Sequence, residues 1–182
     1  IDSVNPTNPA HVGMVMVSVL EEQELNDPNI VTTMAQRLAN IRASAPNVIG
    51  YVNDAGVTNP LADIQNYMAV AKPDMLSFDH YVFAFGDPWE GGSPTPLYSS
   101  MGKYRTAALG GHNGDSTKPI PYGMWTQMFK VAGGATLSES EMSLQYGAAW
   151  VYGYTSLHAF RYSSEDPGNA LPSVLFAGPN DT

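Results

Sequence analysis

The chain contains no cysteine. Disulfides and thiol catalysis are therefore excluded, while the compartment stays open on that count. Basic residues are also scarce: Lys and Arg total 8 against 17 Asp and Glu, for a net charge of −9. Binding a phosphate backbone needs clustered Lys and Arg, so nucleic acid is not an expected partner. No run of about 18 apolar residues occurs, so no membrane-spanning helix is expected. No basic segment leads into an apolar run, and no signal peptide is expected. The first residue is Ile1 rather than Met, which fits a chain whose N-terminal part is missing. A Gly-rich phosphate loop and a G-x-S-x-G nucleophile elbow are both lacking. His11, His80, His112 and His158 are scattered, with neither H-x-H nor H-E-x-x-H spacing, so metal chemistry is disfavoured and no cofactor is expected.

What is present is an alternation of short apolar runs and helical patterns. The 182 residues, 43% of them hydrophobic, are enough for one domain with a sizeable core, taken as residues 1–182. Residues 13–20 form a β-branched apolar run, read as a buried strand. Asn26-Asp27-Pro28 starts a helix, with Ile30, Met34, Leu38 and Ile41 at helical spacing. Residues 48–54 make a second strand, and Asn59-Pro60 caps a helix to about Ala71. The third strand, 73–81, carries Ser77, Asp79 and Tyr81 on one face, with function increasing towards its C-terminal end. A long Gly/Pro/aromatic connection follows, then a helix from Thr95-Pro96. Residues 120–129 form the fourth strand. Ser138-x-x-Glu141 is a capping box opening the helix 139–152, and residues 154–162 form the fifth strand. Strands joined through helices run parallel. Two architectures fit: an open doubly wound sheet, or part of an eight-stranded barrel.

The motifs favour the barrel. VSVLEEQEL resembles the "DEP" strand end of (β/α)8-barrel glycoside hydrolases of clan A, in particular the β-galactosidase-like enzymes. VIGYVND is similar to their following strand, and KPDMLSFDHYVF to their "pDxlsxDxYp" strand. IPYGMWTQMF resembles the next, and LSESEMSLQYGAAWVYGYTSLHAFRY the final helix and strand. The resemblance covers residues 13–162. It implies an α/β fold, a partial TIM barrel comprising about strands four to eight. It also implies a glycosidase that cleaves O-glycosidic bonds of an oligo- or polysaccharide, with Glu22 in the acid/base position. Two departures stand out: Gln23 replaces the Pro of the motif, and Gln127 lies where many clan-A enzymes place a nucleophilic Glu. A catalytically silent carbohydrate-binding barrel therefore remains the alternative.

Read from the residues alone, alternation along the first strand puts Ser18, Leu20 and Glu22 on one face and Val17, Val19 and Glu21 on the other. Glu22 is then the carboxyl at the barrel mouth, unless the Glu run is simply a solvated loop. Glycoside hydrolysis needs two carboxyls across the scissile bond, and Glu22 with Asp79 is the best pair available. Glu22 is expected to be the proton donor, its pKa raised by partial burial, and Asp79 the ionised partner, with a carboxyl gap on the longer, inverting side. Asn53 or Asp54, Tyr81, Gln127 and Tyr162 are candidates for binding hydroxyls. Tyr81, Trp89 and Trp125 are candidates for sugar stacking, Trp89 from a loop walling the site. A core role for Trp125 is equally open. His158 reads as a satisfied core group and Trp150 as core. Carbohydrate is the expected partner, together with a missing N-terminal barrel half or a second copy, because five strands leave two open edges. Extracellular or periplasmic placement is favoured over cytoplasmic.

Overall fold

The computed structural model describes residues 13–83, 94–129 and 137–160. Five strands alternate with four helices: β1 (Met16–Glu21), α1 (Pro28–Ser44), β2 (Ile49–Ala55), α2 (Leu61–Ala71), β3 (Met75–Asp79), α3 (Thr95–Gly110), β4 (Tyr122–Gln127), α4 (Glu139–Val151) and β5 (Ser156–Phe160). The sheet order is β1-β2-β3-β4-β5, and every neighbouring pair is parallel. Each strand therefore returns through a helix, and the sheet curls into a half-barrel with the helices outside. The expected partial α/β barrel is what the chain forms.

Local chemistry sets the element ends. Asp27 caps α1 by accepting from Asn29 N–H (2.8 Å), with Pro28 in the first turn. Ser138 and Glu141 complete the expected reciprocal capping box on α4. The cap expected from Asn59 is not made. Pro60 holds the N-cap position of α2 without a side-chain bond, because the Asn59 amide is engaged elsewhere.

The two faces of the sheet divide the work. Outward-facing Val19, Val52, Leu76, Phe78 and Met124 are buried against Leu38, Ile64, Met68, Leu97 and Met101 of the helices. Phe78 is fully buried and stacks on Tyr104 at 4.4 Å between centroids, with Tyr154 edge-on at 5.9 Å. Burying such a ring contributes about 1.5–3 kcal/mol. β3 lies in the middle of the sheet and is buried at every residue, whereas every residue of edge strand β5 is at least partly exposed. Trp150, expected in the core, is instead 79% exposed on α4 beside that edge. The reason is positional: the inner face of α4 is supplied by Gln145 and Ala149, and Trp150 follows on the outside.

Gly56 marks the tightest passage between these layers. A Cβ there would meet Phe78 Cδ2 at 2.4 Å and Asp79 O at 2.8 Å. Gly56→Ala is expected to destabilise the chain by about 1–3 kcal/mol through overpacking, measured by urea unfolding. An unchanged midpoint would show that the layers yield freely at this point.

Candidate functional site

The inner face of the half-barrel carries the polar and aromatic groups at the C-terminal strand ends. Register places Asn53, Ser77 and Gly123 in one row, and Ala55, Asp79, Trp125 and His158 in the row above. Regular alternation would set Leu20 opposite Asn53. A bulge between Ser18 and Glu21 sets Glu21 there instead, breaking the alternation read from sequence. Glu22 then takes a left-handed backbone (φ 48°), while its N–H still donates to Asn53 O (2.8 Å). Such a conformation costs a non-glycine residue roughly 1–2 kcal/mol, and strain of this kind clusters at functional sites.

That turn brings Glu22 to Asp79. The two carboxyls share a hydrogen bond, and Tyr81 OH donates to Asp79 as well. Burial first, then the charge and hydrogen bond of Glu22, push the Asp79 carboxyl up to about 7. A hydrogen bond between two carboxyls needs a proton on one of them, and burial assigns it to Asp79. Two expectations change here. The carboxyls touch rather than standing apart at the spacing of an inverting pair. Burial also falls on Asp79, which is 5% exposed, rather than on Glu22, which is exposed. Burial raises Tyr51 and Tyr81, and nearby charge adds to it: Glu21 at Tyr51, and Asp79, then Glu22 and Glu21, at Tyr81. Tyr81 therefore stays a protonated donor.

Aromatic rings frame the pair. Tyr81 stacks on Phe160 (5.6 Å) and meets Phe129 edge-on (5.1 Å). Trp125 lies 4.8 Å from His158 and edge-on to Phe160. Tyr51 and His158 lie on non-adjacent strands, yet they stack at 6.4 Å across the concave face. Among the described residues, Trp125 Nε1–H is buried without a hydrogen-bond partner, a condition that costs about 1–3 kcal/mol.

The other expected contacts divide. Asn53 is buried on the inner face, its Oδ1 accepting from Ser77 Oγ (3.2 Å). Asp54 faces the helix layer, hydrogen-bonded by Tyr104 OH and Asn59 Nδ2, and burial raises it to about 6. Gln127 is 1% exposed, and its amide serves the main chain: Phe83 N–H donates to Oε1 (3.1 Å) and Nε2 donates to Phe129 O (3.3 Å). Gln145 of α4 clips the same strand end, accepting from Gln127 N–H (2.8 Å) and donating to Gln127 O (3.3 Å). Trp89 and Tyr162 lie outside the described residues. Sequence reasoning missed Tyr51 and the site position of His158; their inner-face register was the available signal. His158 bonds Ser156 Oγ through Nε2 (2.8 Å), and burial lowers its pKa. Among the described residues, no cluster of three or more His, Asp or Glu is placed to hold a metal ion, and no helix is long and apolar enough to cross a membrane.

No protein-family model and no curated protein sequence matches the chain. Among solved structures, a chitinase-like agglutinin from Robinia pseudoacacia shares the fold, with TM-score 0.53 and 12% sequence identity. The match covers 90% of this chain and 52% of the agglutinin, so the chain spans about half the length of that neighbour. The likeness is one of fold alone.

The raised Asp79 gives a signed pH dependence. The folded chain holds this proton more tightly than the unfolded chain, whose Asp titrates near 3.8. Stability from it is complete below about pH 4 and is lost as pH rises through about 7. Asp79→Asn removes a charge that must otherwise be buried. It is expected to stabilise the chain by roughly 1–3 kcal/mol at pH 8 and to change little at pH 4. Urea unfolding at both pH values measures this, and equal effects at the two would remove the buried charge as the cause.

Proposed function

We propose that the concave face is a carbohydrate site and that the chain is the C-terminal half of a glycoside-hydrolase-type barrel. The observation that carries this reading is the placing of buried Asp79 beside Glu22 at the strand ends, framed by Tyr81, Trp125 and Phe160. Paired carboxyls beside aromatic faces suit acid catalysis on a stacked sugar ring. Glu22, the exposed member, can reach a glycosidic oxygen. Asp79 behind it resupplies the proton that Glu22 gives to the leaving oxygen, and the carboxyls recover one from the water that adds to the anomeric carbon. The unpartnered Trp125 Nε1–H offers a donor to a sugar hydroxyl, and Tyr81 fixes the Asp79 carboxyl. The motif resemblance to clan A and the shared fold with a chitinase-like agglutinin both lean towards glycans.

One observation favours a binding-only barrel instead. Gln127, in the position of the clan-A nucleophile, is buried and bonded to main chain, so no carboxyl comes from that strand end. Assays on a panel of aryl glycosides, with calorimetry on neutral oligosaccharides, separate the two. For an enzyme, Glu22→Gln and Asp79→Asn each lower kcat by about 10²-fold or more. Activity also falls as pH rises through about 7, where Asp79 loses its proton. For a binder, no substrate turns over, and Trp125→Ala weakens affinity by about 1–3 kcal/mol. Sugar affinity that ignores Trp125→Ala, together with no turnover, would end the carbohydrate reading.

We also propose that the free sides of β1 and β5 are closed by further βα units or by a second copy. Expressed as these 182 residues, the chain is then expected to self-associate with rising concentration in analytical ultracentrifugation. A monomer at all concentrations would count against closure by a second copy.

A further inference from the structure

After Glu22 the chain leaves the sheet for the helix layer, and a single side chain holds that crossing. Asn59 Oδ1 accepts from Leu25 N–H (3.1 Å), while Nδ2 donates to Gln23 O (3.3 Å) and to Asp54 Oδ1 (2.6 Å). The amide thus bonds the loop immediately beyond Glu22 to the end of β2. Asp54 is held from behind by Tyr104 OH, and Lys103 Nζ donates to the main-chain oxygens of Asn59 (2.6 Å) and Gly56 (2.9 Å). On the near side, Glu22 N–H is bonded to Asn53 O, also on β2. Both flanks of the strained residue are therefore fastened to one strand, and β3 beside it carries Asp79. Asn59 gives no cap to its own helix, so its amide is left for this contact.

We propose that Asn59, backed by Asp54, is the positioning residue that holds Glu22 against Asp79. For the carbohydrate reading, on which the catalytic meaning of this role rests, these two residues act on the chemistry without touching the sugar. A residue needed only for folding would lower stability and leave the carboxyl pair as it is. A clamp must alter the pair in protein that remains folded.

The Asp79 carboxyl, labelled with carbon-13 and assigned through Asp79→Asn, is titrated by NMR in wild type, Asn59→Ala and Ile64→Val. Ile64→Val trims a fully buried core side chain that makes none of these side-chain hydrogen bonds and serves as the stability control. The wild-type midpoint is expected near 7. Asn59→Ala is expected to lower it by roughly one unit, because Glu22 moves away while the burial of Asp79 remains. Ile64→Val is expected to leave it unmoved. If Asn59→Ala does not fold, Asn59→Ser, whose single shorter hydroxyl cannot replace both amide donors to Gln23 and Asp54, takes its place with the same expected direction. An unchanged midpoint in the folded Asn59 variant overturns the proposal. So does an equal shift in Ile64→Val, or a wild-type Asp79 that titrates as an ordinary carboxyl. The titration requires no sugar, so loss of the carbohydrate reading and loss of the clamp show up in different experiments.

Discussion

The structure depends on burying the outer face of β3. Leu76 and Phe78 fill the space between sheet and helices, and Phe78 stacks on Tyr104 with no exposed surface. A strand that must cover both faces cannot lie at an edge, so β3 is central and its neighbours run parallel through outer helices. Its inner face consequently opens into the concave side. There Ser77 and Asp79 have little water and must find partners within the protein. Ser77 bonds Asn53, and Asp79 takes Tyr81 and Glu22. The chemistry of the site follows from this enclosure.

Much of the architecture was legible in the sequence because it rests on patterns of short range. The β-branched run of β1, the capping signals at Asp27 and Ser138, and the alternation through Ser77, Asp79 and Tyr81 each act over a few residues. Tertiary bonds were harder to see. Asn59 before Pro60 looks like a helix cap, yet its amide bonds partners 34 and 36 residues away in the chain. No local propensity encodes such a partner. Trp150 fits the apolar profile of a core residue, but rotation about α4 turns it outwards.

For the site, the pairing of Glu22 with Asp79 was legible and its form was not. Alternation placed Glu22 at the mouth, whereas the structure breaks that alternation and brings Glu22 beside Asp79 through a bulge and a left-handed turn. Strand spacing suggested a wide carboxyl gap, but curl and the reach of the side chains close it. The ring of Tyr51, Trp125 and His158 could not be read at all without the curl, because its members come from three strands that are not all neighbours. Gln127 shows the opposite limit. A position that resembles a nucleophile site in sequence proves to be an internal fastening of the main chain.

The left-handed backbone at Glu22 also has an evolutionary consequence. A glycine there would relieve a strain of roughly 1 kcal/mol and would remove the carboxyl that opposes ionisation of Asp79. Selection for heat resistance alone would therefore drive this position away from glutamate. Persistence of the acid in a thermally selected lineage would mark it as kept for what it does rather than for what it stabilises.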